Sequence, residues 1–214
     1  MNGLSDGLGV AHPGDDAAAA KRALRDVVLA RRDAMADTQR HAADTALRSR
    51  LAALPAVAGG RTILGFASFR SEIDTMPFIA VCLARGAVVA LPLIVGPHHM
   101  EAFAVSDPAR DLVPGRFDIP EPRPELPLVD PGTIDVVIVP GSAFDLAGGR
   151  MGYGGGFYDT YLARLRTDVP RVAIAYELQL VERVPREPHD LCVDTIVTEK
   201  RTIATGCRTV AATT

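Results

Sequence analysis

Ile134-Asp135-Val136-Val137-Ile138-Val139 is the clearest buried strand in the chain; five of its six residues are apolar and β-branched, and Pro140-Gly141 end it. A short run of this kind, apolar without alternation, reads as a strand covered on both faces, which is the habit of parallel sheets. Working outward, Gly148-Gly-Arg-Met-Gly-Tyr-Gly-Gly-Gly-Phe-Tyr-Asp159 forms a glycine-rich loop, and a helix is expected from about Gly155 to Leu165. Arg171 to Tyr176 and Val193 to Val197 read as two further strands. On the other side, Arg61 to Ala67 reads as a buried strand. Asp74-Thr75 then cap a helix through Ala84 closed by Gly86, Ala87 to Leu91 is a strand ended by Pro92, and Glu101 to Val105 a short third strand. Nearer the N-terminus, Asp15 and Asp16 are N-caps for a helix opening at Ala17, and Asp37-Thr38 cap a second helix running to Leu54 and stopped by Pro55. In the first helix Leu24, Val27, Val28 and Met35 form an apolar side, with Lys21, Arg25 and Arg32 near the opposite one.

Strands alternating with helical stretches predict a single three-layer α/β domain, a mostly parallel open sheet with helices on both faces, over residues 16–209. Residues 1–15 are expected to form a flexible tail. Residues 107–132 hold seven prolines and read as an irregular surface crossing. Ligands of such sheets bind beyond the carboxyl ends of strands, which directs attention to the loop after Val139.

Composition narrows the function classes. The 214 residues are 48% hydrophobic and 23% charged, enough for a sizeable core. A net charge of -3 offers no broad nucleic-acid surface. No apolar run approaches the ~20 residues of a membrane span, and no signal peptide is visible. Cys82, Cys192 and Cys207 lie far apart without a CxxC pair, so reduced thiols and a cytoplasmic protein are expected. Only Lys21 and Lys200 are lysines, against 21 arginines. Such a bias fits a GC-rich genome and marks out a surviving lysine.

Six of the nine residues from Gly148 to Gly156 are glycine. That density is entropically costly, but it lets backbone N–H groups approach an anion ahead of a helix, where the dipole also favours negative charge. Arg150 adds a permanent cation. The loop lacks the Gly-Lys-Ser/Thr ending of a P-loop, and Phe157 breaks a GxGxxG pattern begun at Gly152. A mobile solvent loop is the competing reading, disfavoured by Arg150, Tyr153, Tyr158 and Asp159 among the glycines.

Arg150-Met-Gly-Tyr-Gly-Gly-Gly-Phe-Tyr-Asp159 closely resembles the signature of the 5-formyltetrahydrofolate cyclo-ligase (methenyltetrahydrofolate synthetase) family. Lys21 and Arg25, four apart on a helix, match the family's opening pair. Further matches, in order, are Ser68 with Glu72 to Thr75, Pro120-Glu121-Pro122, Val139-Pro140-Gly141 with Phe144-Asp145, Glu177 with Gln179, Pro185 to Asp190, and Val193-Asp194. The resemblance spans residues 17 to 200. Met151 and Phe157 depart from it mildly, standing where Leu and Tyr are common.

The resemblance implies an ATP- and Mg²⁺-dependent conversion of 5-formyltetrahydrofolate to 5,10-methenyltetrahydrofolate, through phosphorylation of the formyl oxygen and ring closure by N10. It implies ATP contacts from Lys21, Arg25, Arg150, Met151, Gly152, Tyr153, Gly154, Gly155, Gly156, Phe157 and Tyr158, with Arg150 and Lys21 catalytic. It implies folate contacts from Glu72, Tyr153, Gly154, Gly155, Gly156 and Phe157, and Mg²⁺ on Asp159 and Asp194. A monomer without nucleic-acid or membrane partners is expected. Blander roles stand beside these: a solvated basic face for Lys21 and Arg25, a helix-start acid for Asp159, a cap for Glu72. A non-catalytic binding paralogue, or another α/β enzyme acting on sugar phosphates or CoA thioesters, would share the fold.

Overall fold

The computed structural model describes residues 13–116, 119–187 and 190–207. The expected tail falls mostly outside them, but helix α1 spans Pro13–Asp33 and so begins earlier than the Ala17 run. After it come α2 (Asp37–Ala52), α3 (Pro55–Gly59), β1 (Thr62–Leu64), α4 (Met76–Ala84), β2 (Val88–Gly96) and β3 (His99–Val105). The proline-rich crossing holds α5 (Pro108–Asp111) and a small hairpin, β4 (Leu112–Pro114) with β5 (Pro120–Pro122). Then follow β6 (Val136–Val139), β7 (Ala143–Phe144), β8 (Arg150–Met151), α6 (Phe157–Leu162), β9 (Arg171–Ile174), β10 (Thr195–Val197) and β11 (Thr202–Ala204).

Seven strands form one sheet in the order β11-β10-β9-β6-β1-β2-β3. The inner pairs are parallel, and antiparallel strands β11 and β3 close the two edges. Period-two alternation splits the strands between two cores. Val136 and Ile138 face Leu47 and Leu51 of α2 and Phe78 and Ile79 of α4. Val137 and Val139 face Tyr161 and Leu162 of α6. This is the expected α/β arrangement, with helices packed on both faces.

Several local expectations change. Asp37 and Thr38 do not cap α2, whose N-cap is Ala36 with no side-chain bond. Pro55 stops α2 and opens α3 at its first position, where a missing N–H is harmless. Pro92 does not end β2: β1 pairs only as far as Ala90, so the proline nitrogen faces no ladder that needs it. The first helix also turns its charges inward, since Arg32 is 2% exposed while Val27 is 49% exposed. Cys192 and Cys207 form a disulfide, with Cα atoms 6.3 Å apart, against the expectation of reduced thiols; Cys82 is free and buried. The β10–β11 return brings the two cysteines together, and cysteine usage therefore no longer argues for a reducing compartment. Among the described residues no helix is long and apolar enough to cross a membrane.

The chain leaves β1 toward β2 on one side and returns to β6 on the other. The carboxyl ends of β1 and β6 thus flank a topological switch point, where open α/β sheets bind ligands. The loop carrying Glu72 leaves β1 there, and the glycine loop leaves β6.

Candidate active site

Asp145 builds the base of the glycine loop. Its Oδ1 accepts the amides of Ala147 (3.0 Å) and Gly149 (2.8 Å), and its Oδ2 accepts the Val184 amide (2.9 Å). The turn lets β7 and β8 pair as a hairpin, which returns the chain to Arg150. Beyond Met151 the chain loses regular structure until α6. Gly154 (φ +96°) and Gly156 (φ +67°) take left-handed conformations there, which glycine adopts without the usual steric penalty.

Helix α1 lies along this loop. At about 100° per residue, Lys21, Arg25, Val28 and Arg32 share one face. Val28 is fully buried. Arg25 Nε donates to the Gly152 carbonyl at 3.0 Å. Arg32 Nη2 donates to the Tyr153 hydroxyl at 3.0 Å. Lys21 Nζ donates to Asp190 Oδ2 (2.7 Å) and Glu187 Oε2 (2.6 Å). Partial burial alone would lower the Lys21 ammonium; bonds to Asp190 and Glu187 outweigh it and hold it above the ordinary lysine value, so it stays charged.

Arg150 is turned inward, away from a bulk-facing cradle. Its Nη2 donates to both oxygens of Asp159, at 2.8 and 2.7 Å, in a pair where the arginine side chain is 4% exposed. The Leu191 amide also donates to Asp159 Oδ1 at 3.1 Å. Arg150 Nε and the Tyr158 hydroxyl are buried without a hydrogen-bond partner among the described residues. Unpaired buried donors of this kind are costly, and a ligand or water would satisfy them.

Opposite the loop, the Glu72 carboxylate takes the Tyr153 hydroxyl on Oε1 (2.8 Å) and the Phe69 amide on Oε2 (2.9 Å). Burial pushes its pKa up, while Tyr153, Arg32 and the Phe69 amide pull it back part of the way. Burial, then the neighbouring Glu72 charge, raises the Tyr153 phenol, which stays protonated as a donor. Arg32, Phe66, Glu72, Ile73, Gly141 and Gln179 line a cleft of about 10 Å³, room for about one water.

Of the two expected metal carboxylates, Asp159 pairs with Arg150 beside the glycine loop, and Asp194 lies beside the start of β9. Asp194 Oδ2 accepts the Arg171 amide at 2.7 Å, at the start of β9. Among the described residues no group of three or more His, Cys, Asp or Glu could hold a metal ion. A carboxylate has roughly four lone-pair sites. Asp159 uses three of them on Arg150 and Leu191, so Oδ2 retains capacity for a cation. That suits Mg²⁺, which takes one or two carboxylates and draws its other ligands from phosphates and water.

The sequence model of the 5-formyltetrahydrofolate cyclo-ligase family matches residues 17–199. The chain belongs to that family. Among curated family members, 5-formyltetrahydrofolate cyclo-ligase of Escherichia coli is 33% identical over 181 residues, 82% of this chain and 98% of its own. The Mycolicibacterium smegmatis cyclo-ligase is 31% identical over 191 residues, 86% of this chain and 95% of its own. The NMR structure of Aquifex aeolicus 5,10-methenyltetrahydrofolate synthetase superposes with a TM-score of 0.77 at 33% identity, covering 86% of this chain and 92% of that one.

In this cyclo-ligase family member, three site residues had no role in the sequence reading. Arg32 reads from the sequence only as lying near the side of the helix opposite the apolar one. Gln179 belongs to the Glu-x-Gln pattern; its Nε2 donates to the carbonyls of Gly141 (3.0 Å) and Ser142 (3.1 Å), fixing the exit from β6. His98, at the β2–β3 turn with φ +54°, places Nδ1 2.7 Å from the Gly155 carbonyl. A histidine pair without a third ligand nearby carries no sequence signal for such a contact.

Proposed function

We propose that the chain catalyses the ATP- and Mg²⁺-dependent conversion of 5-formyltetrahydrofolate to 5,10-methenyltetrahydrofolate, releasing ADP and phosphate. One observation supports this most directly: α1 sets Arg25 against a glycine loop whose Tyr153 meets the buried Glu72 carboxylate, with Lys21 one turn away beside Glu187 and Asp190. Cations and loop amides suit a triphosphate; a buried carboxylate suits the N–H edge of a pterin.

The formyl oxygen of the folate attacks the γ-phosphorus, ADP leaves, and N10 then attacks the activated carbon to close the ring as phosphate departs. Phosphoryl transfer of this kind needs positioning and charge stabilisation more than a protein nucleophile. Lys21, Arg25 and the amides from Gly152 to Tyr158 bind the phosphates and orient them. Arg150 ties the exit of β6 to the first turn of α6 through Asp159, and its buried Nε has no partner among the described residues. Glu72 and Tyr153 hold the pterin, and Phe157, at the end of the same loop, offers the folate its ring. Mg²⁺, when bound with the nucleotide, neutralises phosphate charge; Asp159 would hold it, and Asp194 would join only by exchanging its contact with the Arg171 amide.

The test is direct. Purified protein is mixed with 5-formyltetrahydrofolate and MgATP, and the near-ultraviolet band of the methenyl product is followed together with released phosphate. Equal amounts of the two products are expected, with loss of both when nucleotide is omitted or Mg²⁺ is chelated. Methenyl formation without ATP, or ATP hydrolysis without methenyl product, refutes the reading.

A further inference from the structure

None of the family motifs quoted above includes Arg32, yet it is among the largest fully buried side chains in the protein. A guanidinium withdrawn from water is destabilising unless charges and acceptors surround it. Those around Arg32 all belong to the folate side of the site. Nε donates to Ser71 Oγ at 2.9 Å, and Nη2 to the Tyr153 hydroxyl at 3.0 Å. Nη1 lies 3.9 Å from Glu72 Oε1, too far for a direct hydrogen bond but close enough for charge to act. Tyr153 bridges the gap: its oxygen accepts from Arg32 and its proton goes to Glu72. The relay spans three elements, namely α1, the glycine loop and the loop after β1.

Arg32 is itself held in place. Arg40, from α2, donates to the carbonyls of Ser71 (2.6 Å) and Arg32 (3.0 Å), and Ser71 Oγ donates to Asp33. The charged and titratable groups facing Glu72 are therefore Arg32 from α1 and Tyr153 from the glycine loop, with Tyr158 of α6 feeling its charge. Two turns along α1, Arg25 grips Gly152, the residue before Tyr153.

We propose that Arg32 is a positioning residue for the folate end of the site, holding Tyr153 and Glu72 as one ionised, hydrogen-bonded unit so that the pterin meets a carboxylate already in register with the glycine loop. This rests on the reading above that Glu72 recognises the folate. Without Arg32, burial is opposed only by Tyr153 and the Phe69 amide, and Glu72 takes up a proton more readily. The protonated acid loses half of its acceptor character toward a pterin edge.

The experiment compares wild type, Arg32→Gln, Arg32→Lys, Glu72→Gln and the Arg32→Gln/Glu72→Gln double variant, with KM for 5-formyltetrahydrofolate and for MgATP measured from about pH 6 to about pH 8. Arg32→Gln should raise the folate KM about tenfold or more at neutral pH, the size of a lost charge-assisted contact. The MgATP KM should change less than about threefold, and the folate penalty should grow as pH falls. Arg32→Lys keeps the charge and should recover most of the loss and flatten the pH dependence. The double variant should bind folate about as well as Glu72→Gln alone, because Arg32 acts on folate through the carboxylate that Glu72→Gln removes. A purely structural arginine would raise both KM values together, without pH dependence, and would add its full penalty to that of Glu72→Gln; that result overturns the proposal. If Glu72→Gln leaves the folate KM unchanged, the reading of Glu72 fails instead. Should Arg32→Gln not fold, Tyr153→Phe breaks the same relay and must show the same pH-dependent rise in folate KM for the proposal to stand.

Discussion

Two irregular segments of this protein look alike in a sequence and behave differently in the fold. The crossing at 107–132 is rich in proline, the loop at 140–159 in glycine. The crossing satisfies its carboxylates from nearby in the chain, and its backbone also pairs with Ala102 and Ala104 of β3. Asp111 Oδ2 accepts the Ser106 amide (2.8 Å), the Ser106 hydroxyl (3.0 Å) and the Asp107 amide (2.9 Å), while Asp130 Oδ1 accepts the Gly132 amide (2.8 Å). The glycine loop does the same only at its base, through Asp145. Beyond Gly149 it depends on distant partners: Arg25 and Arg32 from α1, His98 from the β2–β3 turn, Leu191 from the segment before β10. Among the described residues, two of its buried polar atoms have no partner. A segment whose carboxylates close on neighbouring amides suits a scaffold; one that draws cations from a distant helix suits the phosphate-binding role proposed for it.

The sharpest way to break this contrast is Arg150→Ala. The change leaves Asp159 without its bidentate partner and removes the donor whose Nε is unpaired. Loss of one preorganised donor to a developing charge lowers kcat about 10²- to 10³-fold. Steady-state kinetics of methenyl formation at saturating substrates provide the check. A variant within threefold of wild type would mean that the inward-facing arginine serves the scaffold, as Asp111 does.

Lys21→Met tests the other end of the borrowed charge. It leaves Glu187 and Asp190 facing each other without the ammonium between them. The KM for MgATP should rise about 10- to 100-fold, matching the roughly 1.5–3 kcal/mol of a hydrogen bond to a charged group. The folate KM should move much less. An unchanged MgATP KM would leave the lysine as a strut for the 185–190 segment alone.

How much of this was legible beforehand depended on whether a residue's role was set locally. Ile134 to Val139 could only be a buried strand, and its neighbours Arg171 to Ile174 followed the same logic. The glycine loop declared itself by density. Arg32 did not, because a charge on a helix reads as solvated until the partner at Tyr153, 121 residues away, is known. The Arg150–Asp159 pair was equally invisible: both residues were recognised, but an acid in a first helical turn already has a local explanation in the dipole. Pro92 misled because a proline's effect depends on which side of the strand is paired. β11, three residues long, is too short for periodicity to register. No spacing rule could have joined Cys192 to Cys207, since only the β10–β11 return makes them neighbours.

Asp111→Ala probes the scaffold side of the comparison. The amides of Asp107 and Ser106 hold this carboxyl well below the usual aspartate range. Its stabilisation is therefore complete above the unfolded value, near pH 4, and is lost as pH falls through that range toward the lower folded value. The variant should lose about 1–3 kcal/mol in denaturant unfolding at neutral pH, the cost of orphaning buried donors. The gap from wild type should narrow on acidification, while kcat and both KM values stay near wild type. A gap that is constant with pH would show that packing, and not the ionised carboxylate, holds the crossing together.

The smallest effect is expected from Gly154→Ala, and it discriminates by kind rather than size. A Cβ at this position would meet only the Arg25 guanidinium, at 3.7 and 3.9 Å, so crowding is not the issue. The strain comes from φ of +96°, which an L-residue tolerates at a cost of about 1–2 kcal/mol. If the loop keeps its conformation, stability falls by about that amount and KM for MgATP is little changed. If the loop relaxes, stability is preserved, but the Gly154 and Gly155 amides no longer converge and the MgATP KM rises. The borrowed contacts from Arg25 and His98 favour the first outcome, because they hold the chain on either side of the substituted residue. Thermal melts paired with MgATP titrations separate the two. Loss of both stability and nucleotide affinity, in proportion, would indicate that the loop folds with the core and is not a preformed surface attached to it.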